Sequence, residues 1–295
     1  MRRRPWITVA GIVGVLALWP PIMSAPPAPA DARMARSPAL PASAFEAFNG
    51  ERPGALVAPM LDRETVTDLI AALDRLLAAD VPAGARAAHD GDVLWQFARR
   101  LQGGLLGPGQ ERRVVTHLSR VAAERPESAP VVERAVRMIE RLSVGKTAPE
   151  ITGLDLEGRP FRLSDYRERV VVLVFSADWC AICRTQLPYE RFLADQYANW
   201  PFALLGVETG AARETALAGQ RQHGVPHRAW WDAPGEGAPD GQIAADWNVI
   251  GWPATYLIDA DGVIRFVDLR DEDLLKGVRQ LLGEQADREA GRSPR

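Results

Sequence analysis

Residues 170–183 read VVVLVFSADWCAIC, and this stretch decides the fold of the chain. Residues 170–175 are apolar and mostly β-branched, a pattern typical of a strand buried on both faces of a sheet. A four-residue loop follows, and Cys180 then opens a predicted helix. The first turn of a helix presents unpaired backbone N–H groups and a partial positive charge. The pattern therefore predicts a site that stabilises a thiolate at Cys180.

The chain has only two cysteines in 295 residues, Cys180 and Cys183. Two cysteines exclude a disulfide-stapled scaffold and a zinc site built mainly from thiolates. A spacing of one helical turn lets the pair close a disulfide. We expect Cys180 to attack a substrate disulfide and Cys183, deeper in the helix and better protected, to resolve the mixed disulfide.

Strand and helix patterns alternate between residues 145 and 283, which predicts an α/β domain with a central mixed sheet flanked by helices. A polar tail, 284–295, is expected to fray. The predicted elements are a hairpin over 151–163, strands at 170–175, 202–207, 256–258 and 263–267, and helices at 184–197, 211–223 and 271–282.

A helical region, residues 60–144, precedes this domain. Apolar residues recur there at helical spacing, which predicts a small all-α unit. It contains no catalytic constellation, and His89 and His117 are interpreted as surface or capping residues. The predicted helices are 65–79, 93–101, 110–123 and 129–142.

The N-terminus has the pattern of an export signal. Residues 2–4 are arginines, 6–19 are mostly apolar, and a Pro/Ala-rich stretch follows. We interpret residues 1–24 as a signal peptide or a retained membrane anchor, both of which stay open, and 25–59 as a linker. Either form predicts that the folded part lies outside the cytoplasm.

The composition of the chain restricts the classes of protein to which it can belong. The hydrophobic fraction is 47% and the charged fraction 25%, which excludes a wholly disordered chain. The formal net charge is −3 and no long block of one sign occurs, so nothing predicts nucleic-acid binding.

Three motifs stand out in the second half of the chain. They are Trp179-Cys180-x-x-Cys183, GKTAP at 145–149 with LSDY at 163–166, and GWPATYLID at 251–259. With these motifs, residues 145–283 resemble the thioredoxin superfamily, and in particular its exported, membrane-anchored thiol-disulfide oxidoreductases of the TlpA/ResA type, which overlap the redoxin (AhpC/TSA-like) class. The resemblance implies a thioredoxin-like fold and a protein-disulfide reductase with no cofactor and no metal.

The third motif resembles the cis-proline loop of that family. A cis bond before Pro253 would turn the chain and set the backbone of Trp252 against the disulfide. An extended client peptide could pair with that backbone, and Trp179 and Trp252 would form apolar walls for it. The family implies protein disulfide clients such as apocytochromes, a membrane-side electron donor, and tethering to the membrane where the N-terminal segment is retained.

The chain departs from the family in two places. Ala181 and Ile182 replace the usual Gly-Pro between the cysteines, so the dipeptide adds no thiolate stabilisation and a strong oxidant is not expected. Val174 stands where thioredoxin has a buried acid, so any assisting carboxylate must come from elsewhere. Asp178 is one candidate, and Arg184 either assists the thiolate or covers the helix surface.

Three alternative functions stay open. A peroxiredoxin would need Pro and Thr where Leu173 and Ala177 stand. A soft-metal binding module would use His223 and His227. A redox-silent scaffold would hold the disulfide as a structural link, with the helical region as its binding part.

Overall fold

The computed structural model describes residues 60–61, 63–210, 212–233 and 241–291. The predicted export segment (1–24) and the linker (25–59) lie outside the described residues. Within the described ranges, no helix combines the length and the hydropathy needed to cross a membrane.

Four helices form the helical region, as the periodicity predicts. Each has an apolar stripe toward a common core: the second helix, for example, buries Val93, Phe97 and Leu101 completely. A two-residue parallel pair, β1 (Met60–Leu61) with β2 (Leu105–Leu106), joins the start of the region to its middle. The helices are α1 (Arg63–Leu77), α2 (Arg86–Gln102), α3 (Pro108–Glu124) and α4 (Ala129–Arg141).

A five-stranded mixed sheet forms the centre of the second unit, in the order β7-β6-β5-β8-β9. The predicted strand β5 (Val170–Ala177) lies in the middle, and its residues 170–175 are all buried. It pairs in parallel with β6 and antiparallel with β8. The other strands are β6 (Phe202–Thr209), β7 (Arg228–Asp232), β8 (Ala254–Ile258) and β9 (Ile264–Val267).

The predicted hairpin is present, and it packs beside the sheet. Its strands β3 (Thr152–Leu154) and β4 (Pro160–Arg162) are antiparallel. Phe161 from the hairpin stacks on Trp230 of β7, with ring centroids 3.9 Å apart and planes 11° apart. Strand β7 was not predicted from the sequence. It is only five residues long, begins at Arg228 and ends at Asp232, and so lacks a long continuous apolar run.

Helices cover the sheet at α5 (Ala181–Gln196), α6 (Arg213–His223), α7 (Gln242–Asp246) and α8 (Asp271–Glu289). The last helix is longer than predicted. It continues beyond Leu282 into the stretch that was expected to fray. Gln285 explains the difference: it is 6% exposed, and its Nε2 donates to the main-chain oxygen of Glu168 at 2.9 Å. A buried polar side chain with a partner stabilises this extra turn.

The helical region and the sheet share one hydrophobic core. The same buried cluster contains Phe97 and Ile139 from the helices and Leu173, Phe175 and Tyr256 from the sheet. Burial of apolar surface is the main stabilising contribution in a fold of this kind. The two units therefore stabilise each other.

Candidate functional site

The two cysteines lie where β5 ends and α5 begins. Cys180 is the N-cap of α5, and its Sγ accepts a hydrogen bond from the backbone N–H of Cys183 at 3.0 Å. The two residues are joined by a disulfide, with their Cα atoms 5.3 Å apart. The pair thus sits against the free N–H groups of a helix start, an environment that favours a thiolate once the disulfide is reduced.

Both cysteines are almost fully buried. Cys180 is 5% exposed and Cys183 is 7% exposed, so the two residues are buried to a similar degree in the disulfide form. Both pack in a small apolar cluster with Ala177, and the half-buried Trp252 lies against it. The covering indole explains why Cys180, despite its N-cap position, is screened from solvent.

The bond between Trp252 and Pro253 is cis, as the family resemblance implies. Strand β8 starts at the next residue, and its first pair is Ala254 with Phe175 near the end of β5. This antiparallel register brings the proline turn to the edge of the sheet at which the cysteine motif begins.

Two tryptophans meet beside the cysteine motif. The rings of Trp179 and Trp252 meet edge to face, with centroids 5.4 Å apart, and Trp179 is 59% exposed. Gly210, at the end of β6, makes room for the Trp179 indole. It has φ of +100°, and a Cβ there would come within 2.8 Å of the indole nitrogen. An apolar, exposed ring is thereby held next to the sulfurs.

Asp178 and Arg184 lie beside the cysteine motif, and both line the same cavity as Cys183. Arg184 Nη1 donates to the main-chain oxygen of Asp178 at 3.0 Å, and both residues are exposed. The guanidinium thus braces the loop before Cys180.

A buried carboxylate missed by the sequence analysis lies on the neighbouring strand. Glu208 of β6 is paired in register with Ser176 of β5, is 7% exposed, and accepts from the Ser176 hydroxyl at 2.6 Å. Burial raises the pKa of Glu208. Glu208 and Cys183 line the same cavity of about 70 Å³. A single acidic residue within the apolar strand FALLGVET was the available signal, but the sequence does not reveal which strands are neighbours.

A second buried pair lines this cavity. His227 Nε2 lies 3.4 Å from Glu190 Oε2, and the two residues are 8% and 3% exposed. His227, considered above as a metal ligand, has a carboxylate partner here. Among the described residues, no group of three or more His, Cys, Asp or Glu is arranged to hold a metal ion.

Comparison with known proteins agrees with this geometry. The model of the AhpC/TSA family matches residues 144–267. The chain is 31% identical over 124 residues to the thiol-disulfide oxidoreductase ResA of Geobacillus kaustophilus, covering 42% of this chain and 68% of the relative. It is 29% identical over 150 residues to ResA of Bacillus thuringiensis strain Al Hakam, covering 50% and 73%. The match to the family model begins at residue 144, where the helical region ends.

Solved structures are similar to about half of the chain. One is a putative thiol:disulfide interchange protein DsbE from Chlorobium tepidum, with a TM-score of 0.43 and 26% identity, covering 48% of this chain and 99% of that one. The extent of the ResA match is what decides the family. The chain belongs to the thioredoxin superfamily, as a thiol-disulfide oxidoreductase of the TlpA/ResA type.

Proposed function

We propose that this oxidoreductase is an extracytoplasmic protein-disulfide reductase in which Cys180 and Cys183 are the redox-active pair. One observation carries the proposal: the chain's two cysteines are bonded to each other at the start of a helix, beside a cis-proline turn. A helix start activates the thiolate, and the turn leaves backbone next to it for an incoming peptide.

The reaction starts from the reduced pair. The Cys180 thiolate attacks one sulfur of the client disulfide, so an S–S bond forms to Cys180 and the client's own S–S bond breaks. The client's other sulfur leaves as a thiolate and takes up a proton. Cys183 then loses its proton and attacks Cys180, which closes the disulfide and releases the second client thiolate. Two electrons pass to the client, and an external dithiol must reduce the protein again.

Trp179, Trp252 and Pro253 form the client-binding part of this site. The exposed Trp179 ring and the half-buried Trp252 ring meet and together offer one apolar surface beside the cysteine motif. Aromatic rings bind extended peptides through a large rigid area. The backbone at Trp252 is the pairing edge for such a peptide.

Glu208 handles the proton of Cys183. It faces the same cavity as that residue, and burial favours its protonated form. A carboxyl group with a raised pKa holds its proton to higher pH than an ordinary one, which suits it to accept and return a proton. The Ser176 hydroxyl, 2.6 Å away, orients it.

The N-terminal pattern supports the proposed location, and the family resemblance supports the proposed partners. The arginines at 2–4 and the apolar run at 6–19 support export, with clients among disulfide-bearing envelope proteins such as apocytochromes. The electron donor is a dithiol protein on the membrane side. The chain stays tethered to the membrane if its N-terminal segment is retained.

A redox-silent scaffold is the second candidate, favoured by the burial of both cysteines at 5% and 7%. The reduction potential of the purified full-length protein, measured in glutathione and dithiothreitol buffers, separates the two. We expect a value near that of thioredoxin, about −270 mV. A value near about −120 mV would indicate an oxidant that installs disulfides. A disulfide that resists reduction across the whole buffer range would contradict the catalytic role.

A further inference from the structure

The helical region contacts the loop that carries the cis-proline. We define the proline loop as residues 248–253, between α7 and β8. Its first residue, Asn248, is 6% exposed and has φ of +52°, a left-handed conformation that asparagine tolerates better than most residues. The conformation of this residue sets the direction in which the loop leaves the end of α7.

Two hydrogen bonds tie Asn248 to one residue of α4. Arg134 Nε donates to Asn248 Oδ1 at 3.0 Å, and Asn248 Nδ2 donates to the main-chain oxygen of Arg134 at 3.3 Å. The side-chain amide is thus held from both of its ends. An amide fixed in this way cannot rotate, so the start of the proline loop is held in a fixed position relative to the helical region.

The other end of the loop is tied to α2. Arg99 forms an ion pair with Asp268, whose Oδ1 accepts from the backbone N–H of Thr255 at 3.2 Å. Arg270, 3.9 Å from the same carboxylate, donates to the main-chain oxygen of Pro253. The buried Gln102 donates from Nε2 to the hydroxyl of Tyr256 at 3.1 Å.

We infer that the helical region is a positioning element for the proline loop, and that Arg134 and Asn248 are its central positioning pair. The inference rests on the proposed function, since it concerns how client peptides reach the disulfide. A peptide that pairs with the backbone of Trp252 needs that backbone at a fixed distance from the sulfur. A small disulfide reaches the sulfur without this backbone and is indifferent to it.

Asn248→Gly is the most direct test. Glycine adopts the left-handed conformation freely, so the variant tolerates the same backbone conformation while it removes both side-chain hydrogen bonds. Arg134→Met is a second variant that removes the Nε donor from the other side and retains helix propensity. Glu111→Gln is the matched control: it breaks the 2.6 Å ion pair with Lys146, a contact between α3 and the segment beside β9.

The full-length proteins are reduced, and their oxidation is followed with two probes, a peptide containing an internal disulfide and hydroxyethyl disulfide. We expect Asn248→Gly to lower the second-order rate constant of oxidation by the peptide about tenfold, because a misplaced binding surface weakens peptide docking. Arg134→Met should act in the same direction. The rate with hydroxyethyl disulfide should stay within about twofold of wild type in all three variants.

The outcomes separate the two proposals. A wild-type protein that exchanges with dithiothreitol but does not react with the peptide contradicts the proposed function. An active wild type whose Asn248→Gly and Arg134→Met variants match Glu111→Gln contradicts the positioning role alone. Equal losses with the peptide and the small disulfide also overturn it, because they indicate general damage to the site.

Discussion

The cysteine motif and the helical region contribute to the protein in different ways. Around Cys180, reactive groups, a helix start and two tryptophans converge within a few residues of the end of β5. Residues 60–144 supply no cysteine, yet their helices belong to the same core as the sheet. The two regions therefore have different roles. The groups proposed to react lie within one turn, and the geometry of that turn depends on a much larger packed surface.

The largest effect should follow from changing the nucleophile. Cys180→Ser should lower thiol-disulfide exchange at least about a thousandfold, because a hydroxyl cannot replace the thiolate. Stopped-flow oxidation with a disulfide peptide measures it. Cys183→Ser is the informative partner, since it should accumulate a mixed disulfide with the client that mass spectrometry detects. Exchange by Cys180→Ser within tenfold of wild type would contradict the assigned role.

A core change in the helical region should be the largest effect outside the motif. Phe97 is fully buried, so Phe97→Ala should lower the free energy of unfolding by about 3–5 kcal/mol. Because the core is shared, we expect a single urea transition at which far-UV dichroism and disulfide accessibility change together. Arg112→Ala, on the exposed side of α3, is the control and should stay within about 0.5 kcal/mol. Two separated transitions would show that the units are independent.

Glu208, beside the cysteine motif, should make the stability of the protein depend on pH. Its pKa is raised by burial above the ordinary 4.5, so its contribution to stability is fully present below pH 4.5 and is lost as the pH rises through the folded-state pKa. Glu208→Gln removes this loss and can still accept from Ser176. The variant should therefore become progressively more stable than wild type as the pH rises.

Urea unfolding at a series of pH values from about 4 to 8 measures this difference. Glu133→Gln, which removes an exposed carboxylate of α4, is the matched control and should show little pH-dependent difference. A stability difference for Glu208→Gln that is flat with pH would contradict a buried carboxyl with a raised pKa.

The smallest effect should come from the exposed ring beside the motif. Trp179→Ala should lower the rate with a disulfide peptide about threefold to tenfold, the value of one aromatic contact. It should change stability little, because the ring is 59% exposed. Trp200→Ala, another exposed indole at 47%, lies away from the motif and is the control. Equal peptide rates in both variants would show that the Trp179 ring does not bind the client.

Much of the site was accessible from the sequence because its parts are local. The strand at 170–175, the cysteine spacing and the proline motif each lie within one short stretch, and each occurs in the structure where it was expected. The short strand β7 and the last turns of α8 were missed, because a neighbouring surface stabilises them more than their own pattern does.

By itself, the sequence predicted the cysteine pair and its setting: two cysteines one turn apart after a buried strand place a dithiol or its disulfide at a helix start, whatever surrounds it. Only the tertiary structure decided what faces that dithiol. Glu208 reaches the cavity through strand pairing, and Asn248 meets Arg134 across 114 positions of chain. Contacts between distant residues depend on which elements pack together, and that is a property of the whole core rather than of any one segment.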